Sequence, residues 1–109
     1  GPFWRISDDA AFVLSDPERV VLLNLAVTGA QPIALLGTGA AVWGALVGQE
    51  EDLRPWVAQV HLLQQLASGY DTQPELIEPD VTALLGRLAD EGFLAASSLP
   101  EAQAQSGPL

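Results

Sequence analysis

The sequence predicts an α+β domain, a three-stranded antiparallel sheet followed by three helices. Two apolar runs, VVLLNLA and PIALL, flank the turn residues Thr28-Gly29-Ala30-Gln31, as the strands of a hairpin do. After Gly37 the apolar positions regroup as Val42, Trp43, Leu46 and Val47, which is one face of a helix. With 109 residues, 49% of them apolar, the chain has the length and composition of one domain built on one core.

Gly1-Pro2 reads as the remnant of a cleaved affinity tag. Residues 3 to 9, FWRISDD, admit two readings: a lead-in whose Phe3, Trp4 and Ile6 pack on the body, or a disordered leader. AAFVLSD is a short strand running into the turn Ser15-Asp16-Pro17-Glu18. RVVLLNLA, residues 19 to 26, follows as the second strand. Val20 and Leu22 lie on one face and Val21 and Leu23 on the other, so both faces are apolar and the strand is expected to be central, with Val21 in the core. PIALL is the third strand, with Pro32 tolerated only at a strand start or on a sheet edge.

Thr38 is the expected N-cap of the first helix, which Gly48 ends. Asp52 is the expected N-cap of the second, with Pro55 in its first turn and a stripe of Trp56, Val60, Leu63 and Ala67. Thr72 and Glu75 have capping-box spacing, but Pro79 in a helix interior costs about 3 kcal/mol. The third helix is therefore expected to begin near Glu78 or Pro79, after a preliminary turn at 74–77, and to run to Glu91 with Val81, Leu85 and Leu88 in the core. FLAA pairs briefly or packs as a wing. The domain so drawn covers residues 10–96, and residues 97–109 read as a flexible tail.

Fourteen acidic side chains face four arginines and no lysine, a formal charge of −10. A duplex-binding surface needs several Lys or Arg to displace counterions, so a nucleic-acid partner is not expected, whereas a peptide or protein with a basic segment is favoured by the field. No apolar run is long enough for a membrane span, and no basic segment precedes an apolar run as in a secretory signal. The expected location is cytoplasmic.

Nothing in the residues points to catalysis. There is no cysteine; the single histidine, His61, has no partner at a recognisable spacing; and Gly37 and Gly39 lack the Lys-Ser or Lys-Thr of a phosphate loop. Asp8-Asp9 and Glu50-Glu51-Asp52 read as solvated faces rather than cation sites. No enzyme activity, cofactor or metal is expected.

What the pattern does supply is a sheet edge. If the third strand is that edge, its outward N–H and C=O groups can take an extended peptide as a further strand. On the third helix Ile77, Asp80, Leu84 and Arg87 recur at i, i+3, i+7 and i+10, a mixed stripe able to line a groove beside the edge. The alternative is that Ile77 and Leu84 extend the core while Asp80 and Arg87 are solvated.

The hydrophobic strand pair, then Leu36, Thr38, Gly39 and Trp43, then Tyr70, Asp80-Val81, Leu85, Leu88, Gly92 and Leu94 together resemble the PqqD-like family. These are the precursor-peptide recognition elements of ribosomally made, post-translationally modified peptides. The chain looks most like the standalone members of lasso-peptide biosynthesis. The resemblance implies a winged helix-turn-helix-like domain that binds no nucleic acid. It implies instead binding of a leader segment as an added antiparallel strand and delivery to a separate cysteine-protease-like leader peptidase. The peptide-binding residues it implies are Pro32, Ile33, Ala34, Leu35 and Leu36 on the strand, and Ile77, Asp80, Val81, Leu84 and Arg87 on the helix. The interval from Trp43 to Tyr70 is longer than in the family, and Pro79 beside Asp80 departs from its pattern. Two other functions fit the same elements: a winged-helix nucleic-acid-binding domain, and an adaptor that clamps an enzyme without reading a peptide. A weak homodimer through the unsatisfied edge is also expected.

Overall fold

A computed structural model describes residues 1–15 and 18–98. The expected tail beyond Ser98 and the centre of the first turn, Asp16-Pro17, lie outside the described residues. The elements are β1 (Phe3–Ile6), β2 (Ala10–Leu14), β3 (Arg19–Asn24), β4 (Ile33–Leu36), α1 (Thr38–Leu46), β5 (Val57–Ala58), α2 (Gln59–Gly69), α3 (Pro74–Asp90) and β6 (Leu94–Ser97). All strand pairs are antiparallel.

The α+β class and the three helices agree with expectation; the single sheet does not. Among the described residues six strands form two three-stranded sheets, β2-β3-β4 and β5-β1-β6. The first is the predicted meander with β3 central. The second joins the two ends of the described chain, Phe3 opposite Ser97 and Ile6 opposite Leu94. Of the two readings of residues 3–9, packing on the body is the one found. Trp4 and Ile6 are buried, Trp4 Nε1–H donates to Gln59 Oε1 at 2.8 Å, and Gln59 Nε2 donates to Thr82 Oγ1 at 3.2 Å. That chain ties β1 through α2 to α3 inside the protein, where an unpaired indole or amide would be costly.

β3 stops at Asn24, two residues before the predicted end. The Asn24 side chain accepts the Ala26 N–H at 2.9 Å, a local bond that replaces the next ladder step, and its amide donates to the Glu91 carbonyl at 3.0 Å at the end of α3. Val21 is half-buried on the outer face of its sheet rather than in the core; Val20 and Leu22 are the buried pair. Phe12 of β2 meets Trp43 of α1 edge to face, with ring centroids 5.5 Å apart, so the first sheet and α1 share the central core.

Helix starts differ from the sequence reading for identifiable reasons. Gly37, not Thr38, is the N-cap of α1. Its backbone sits at φ 57°, ψ −124°, a conformation reserved for glycine, and its carbonyl accepts the Ala41 N–H at 3.0 Å. Asp52 caps no helix: its carboxylate accepts the Arg54 N–H at 3.0 Å in a loop, Pro55 disfavours helical geometry in the residue before it, and Val57–Ala58 is taken up as β5. α2 begins only at Gln59, so its buried face is Leu62, Leu63, Leu66 and Ala67, with Val60 exposed and Trp56 outside. α3 is continuous from Pro74 through Pro79, contrary to the expected late start. Pro79 and Glu75 both face water, so the Glu75 carbonyl that Pro79 leaves without an N–H can be hydrated. Gln73 stands at the N-cap without a side-chain bond, so the Thr72–Glu75 capping box does not form. Val81, Leu85 and Leu88 are buried as expected. No described helix is long and apolar enough to cross a membrane.

Candidate functional site

Among the described residues the sheet β2-β3-β4 ends at β4, which pairs with β3 alone. Two bonds fix which of its groups are free. Gly37 N–H donates to the Glu18 carbonyl at 3.0 Å, and the register pairs Val20 with Leu35 and Leu22 with Ile33. Antiparallel ladders turn alternate residues toward the partner, so Ile33, Leu35 and Gly37 bond inward. The outer edge therefore presents the N–H and C=O of Ala34 and of Leu36. Pro32, just before the strand, adds a carbonyl and no donor.

Side chains alternate across the strand as well. Leu35 is buried and Ile33 half-buried on the helix side, whereas Ala34 and Leu36 stand exposed on the outer face, Leu36 at 65%. The helix side is where α3 approaches. A methyl group placed on Gly39 in the first turn of α1 would lie 3.6 Å from Leu35 Cβ and 4.0 Å from Leu84 Cδ2. Strand edge, α1 start and α3 thus converge around an apolar notch that Gly39 leaves unfilled.

Of the helix residues expected at the site, Ile77 and Leu84 are half-buried against the core, so part of the plainer alternative holds: they do extend the core, while still reaching the surface. Asp80 and Arg87 are exposed, Arg87 Nε lying 3.8 Å from Glu91 Oε2. Such an exposed pair contributes little to stability and leaves the guanidinium available. Val81 is 2% exposed; it belongs to the core and supports the helix from beneath. In the sequence Gly39 was legible as a turn residue and as part of the family resemblance, not as a residue of the site. What marks it as part of the site is the pair of leucines it separates, which no local pattern brings together.

A cleft of about 490 Å³ lies elsewhere, on the flank of α3 that meets α2 and β1, with Phe3, Gln59, Leu63, Pro74 and Glu78 among its walls. Its one strand edge is the two-residue β5, whose Ala58 lines the cleft, and the two sites share no residue.

A family model described as Coenzyme PQQ synthesis protein D (PqqD) matches residues 12–94. No curated protein and no solved structure gives a significant match. The matched span takes in β3, β4 and all three helices, hence both sides of the notch.

Proposed function

The chain belongs to the PqqD family, whose role is peptide binding in the maturation of ribosomally made precursors, and from that premise we propose that it holds a leader segment as an antiparallel strand on the outer edge of β4. The observation that carries this is the outward pair Ala34 and Leu36 standing beside the Leu35–Gly39–Leu84 notch. The edge supplies main-chain bonds, which fix direction and extent; the notch and the Ile77–Asp80–Leu84–Arg87 flank supply side-chain selection.

Magnitudes say that both are needed. Each ladder bond contributes about 0.5–1.5 kcal/mol net, so the donors and acceptors of Ala34 and Leu36 with the Pro32 carbonyl contribute roughly 2–7 kcal/mol. Micromolar affinity requires about 8 kcal/mol, and ordering a flexible leader adds a further cost. An apolar side chain seated between Leu35 and Leu84 adds about 1.5–3 kcal/mol, so main-chain and side-chain contacts act together. The charge of −10 favours encounter with a basic leader.

In the finer reading the domain has a winged helix-turn-helix-like form, works in the cytoplasm and breaks no bond. It passes the bound precursor to a cysteine-protease-like leader peptidase of lasso-type maturation. The likeness of Leu36, Thr38, Gly39 and Trp43 to the standalone members of that branch supports this assignment. Calorimetric titration with the synthetic leader of the precursor encoded beside this protein tests the proposal. One-to-one binding near micromolar is expected. No heat up to about 100 µM peptide, about a hundredfold above the expected micromolar Kd, or salt-sensitive binding to duplex DNA instead, would overturn it.

A further inference from the structure

The cleft between β1, α2 and α3 joins an apolar floor to an acidic rim. Phe3 is half-buried and Leu63 buried, while Val60 in the first turn of α2 stands 57% exposed, and Pro74 adds a further apolar wall. Glu75 and Glu78, three residues apart on one face of α3, line the same cleft and are exposed. None of the four arginines lines it, and among the described residues neither glutamate has an ion-pair partner. The cleft is formed before anything enters it, because buried Gln59 accepts from the Trp4 indole and donates to Thr82, which fixes β1, α2 and α3 to one another.

The edge of β5 contributes a backbone donor. Gln59 N–H donates to the carbonyl of residue 2 at 2.9 Å, a group that any residue there supplies, and the register pairs Trp4 with Val57 and Phe3 with Ala58. Antiparallel ladders alternate, so Ala58, which lines the cleft, turns its N–H away from β1 to the outer edge of the sheet.

We propose that this cleft docks a maturation enzyme through a segment that carries an apolar side chain beside lysine or arginine. The volume of about 490 Å³ is that of an ordinary ligand pocket, roughly 300–1,000 Å³, so it takes a few side chains rather than a whole element. Charge decides which. On a chain of −10 an acidic segment is repelled, a neutral ligand leaves Glu75 and Glu78 unanswered, and a cation flanking an apolar anchor meets both rim and floor. PqqD family proteins bind partner enzymes as well as precursor peptides. The proposal rests on reading this chain as such an accessory protein, and since the cleft shares no residue with the β4 edge, enzyme and leader can be held together.

Calorimetry of the whole chain with the purified maturation enzyme encoded beside it, in the absence of leader, tests this, with leader affinity measured separately. Enzyme binding that weakens from about 50 mM to about 500 mM salt is expected. Val60→Asp, at an exposed position, should weaken it more than about tenfold while the fold and leader affinity stay as they are. Glu75→Gln combined with Glu78→Gln should weaken it roughly threefold to tenfold and remove most of the salt dependence. Ala34→Pro should do the reverse, losing the leader and keeping the enzyme. No enzyme binding by the unaltered chain, an affinity indifferent to Val60→Asp, or binding untouched by salt and by the two glutamine substitutions would overturn the proposal. Loss of leader affinity in Val60→Asp would also overturn it, assigning the cleft to the precursor. Enzyme binding at the cleft with no leader binding would support it and remove the β4 reading instead.

Discussion

Leu35 of β4 and Leu84 of α3 flank one point, the position from which a side chain on Gly39 would grow, at 3.6 and 4.0 Å. That relationship makes Gly39→Ala informative. The new methyl fits at ordinary contact distance and replaces glycine in a helix, which is worth up to about 1 kcal/mol, so chemical denaturation should show equal or greater stability. Because the methyl occupies the notch, leader affinity by calorimetry should fall about tenfold, or 1.4 kcal/mol. Unchanged affinity would remove the notch from the site. Leu84→Asp is a poorer probe, since Leu84 is half-buried against the core.

The two faces of the β4 ladder give a paired test. Ala34 N–H points away from β3, so Ala34→Pro should keep the fold, with a small shift in Tm, and lose leader binding. Leu35 N–H bonds toward Val20 across the register, so Leu35→Pro should lose a ladder bond together with a buried side chain and destabilise far more than Ala34→Pro. The same result for both by thermal melting would mean the edge is not oriented as described.

Gln59→Leu should destabilise by about 1–3 kcal/mol in urea titration, because it strands the Trp4 indole N–H and releases Thr82. Removing residues 1–6 should cost far more, since it takes the central strand from one sheet together with buried Trp4 and Ile6. A truncated chain of unchanged stability would contradict the role given to β1.

Glycines and prolines should separate by environment. Gly44 is exposed in α1 with open space around it, so Gly44→Ala should stabilise by about 1 kcal/mol. Gly92→Ala should destabilise, because φ is +87° and a methyl would lie 2.6 Å from Asn24 Nδ2. Pro79→Ala should restore one exposed helix bond and raise stability by up to about 3 kcal/mol, read by denaturant midpoint.

The strands flanking Thr28–Gln31 and the buried stripe of α3 were legible because each is a local pattern: alternation and a 3.6-residue period. β1, β5 and β6 were not. Their sheet is made by pairing Phe3 with Ser97 and with Ala58, and no window along the chain contains both partners. The start of α2 was misplaced because Asp52 and Pro55 imitate a helix start while a two-residue strand, invisible to periodicity, claims Val57–Ala58. Pro79 was read as a break because its solvent exposure, which makes the lost bond tolerable, is a tertiary fact. For the site, the edge and the α3 stripe were visible as residue types; the outward parity of Ala34 and Leu36 and the joining role of Gly39 required the register.

The most direct measurement is an amide-shift titration of the isotope-labelled chain with its cognate leader peptide. Addition of the peptide as a strand on β4 predicts changes concentrated at residues 33–37, at Gly39 and along 77–87, with the Ala34 and Leu36 N–H protected from hydrogen exchange in the complex. Changes confined to β2, to β6 or to the cleft between α2 and α3, with Ala34 and Leu36 exchanging as in the free protein, would contradict it.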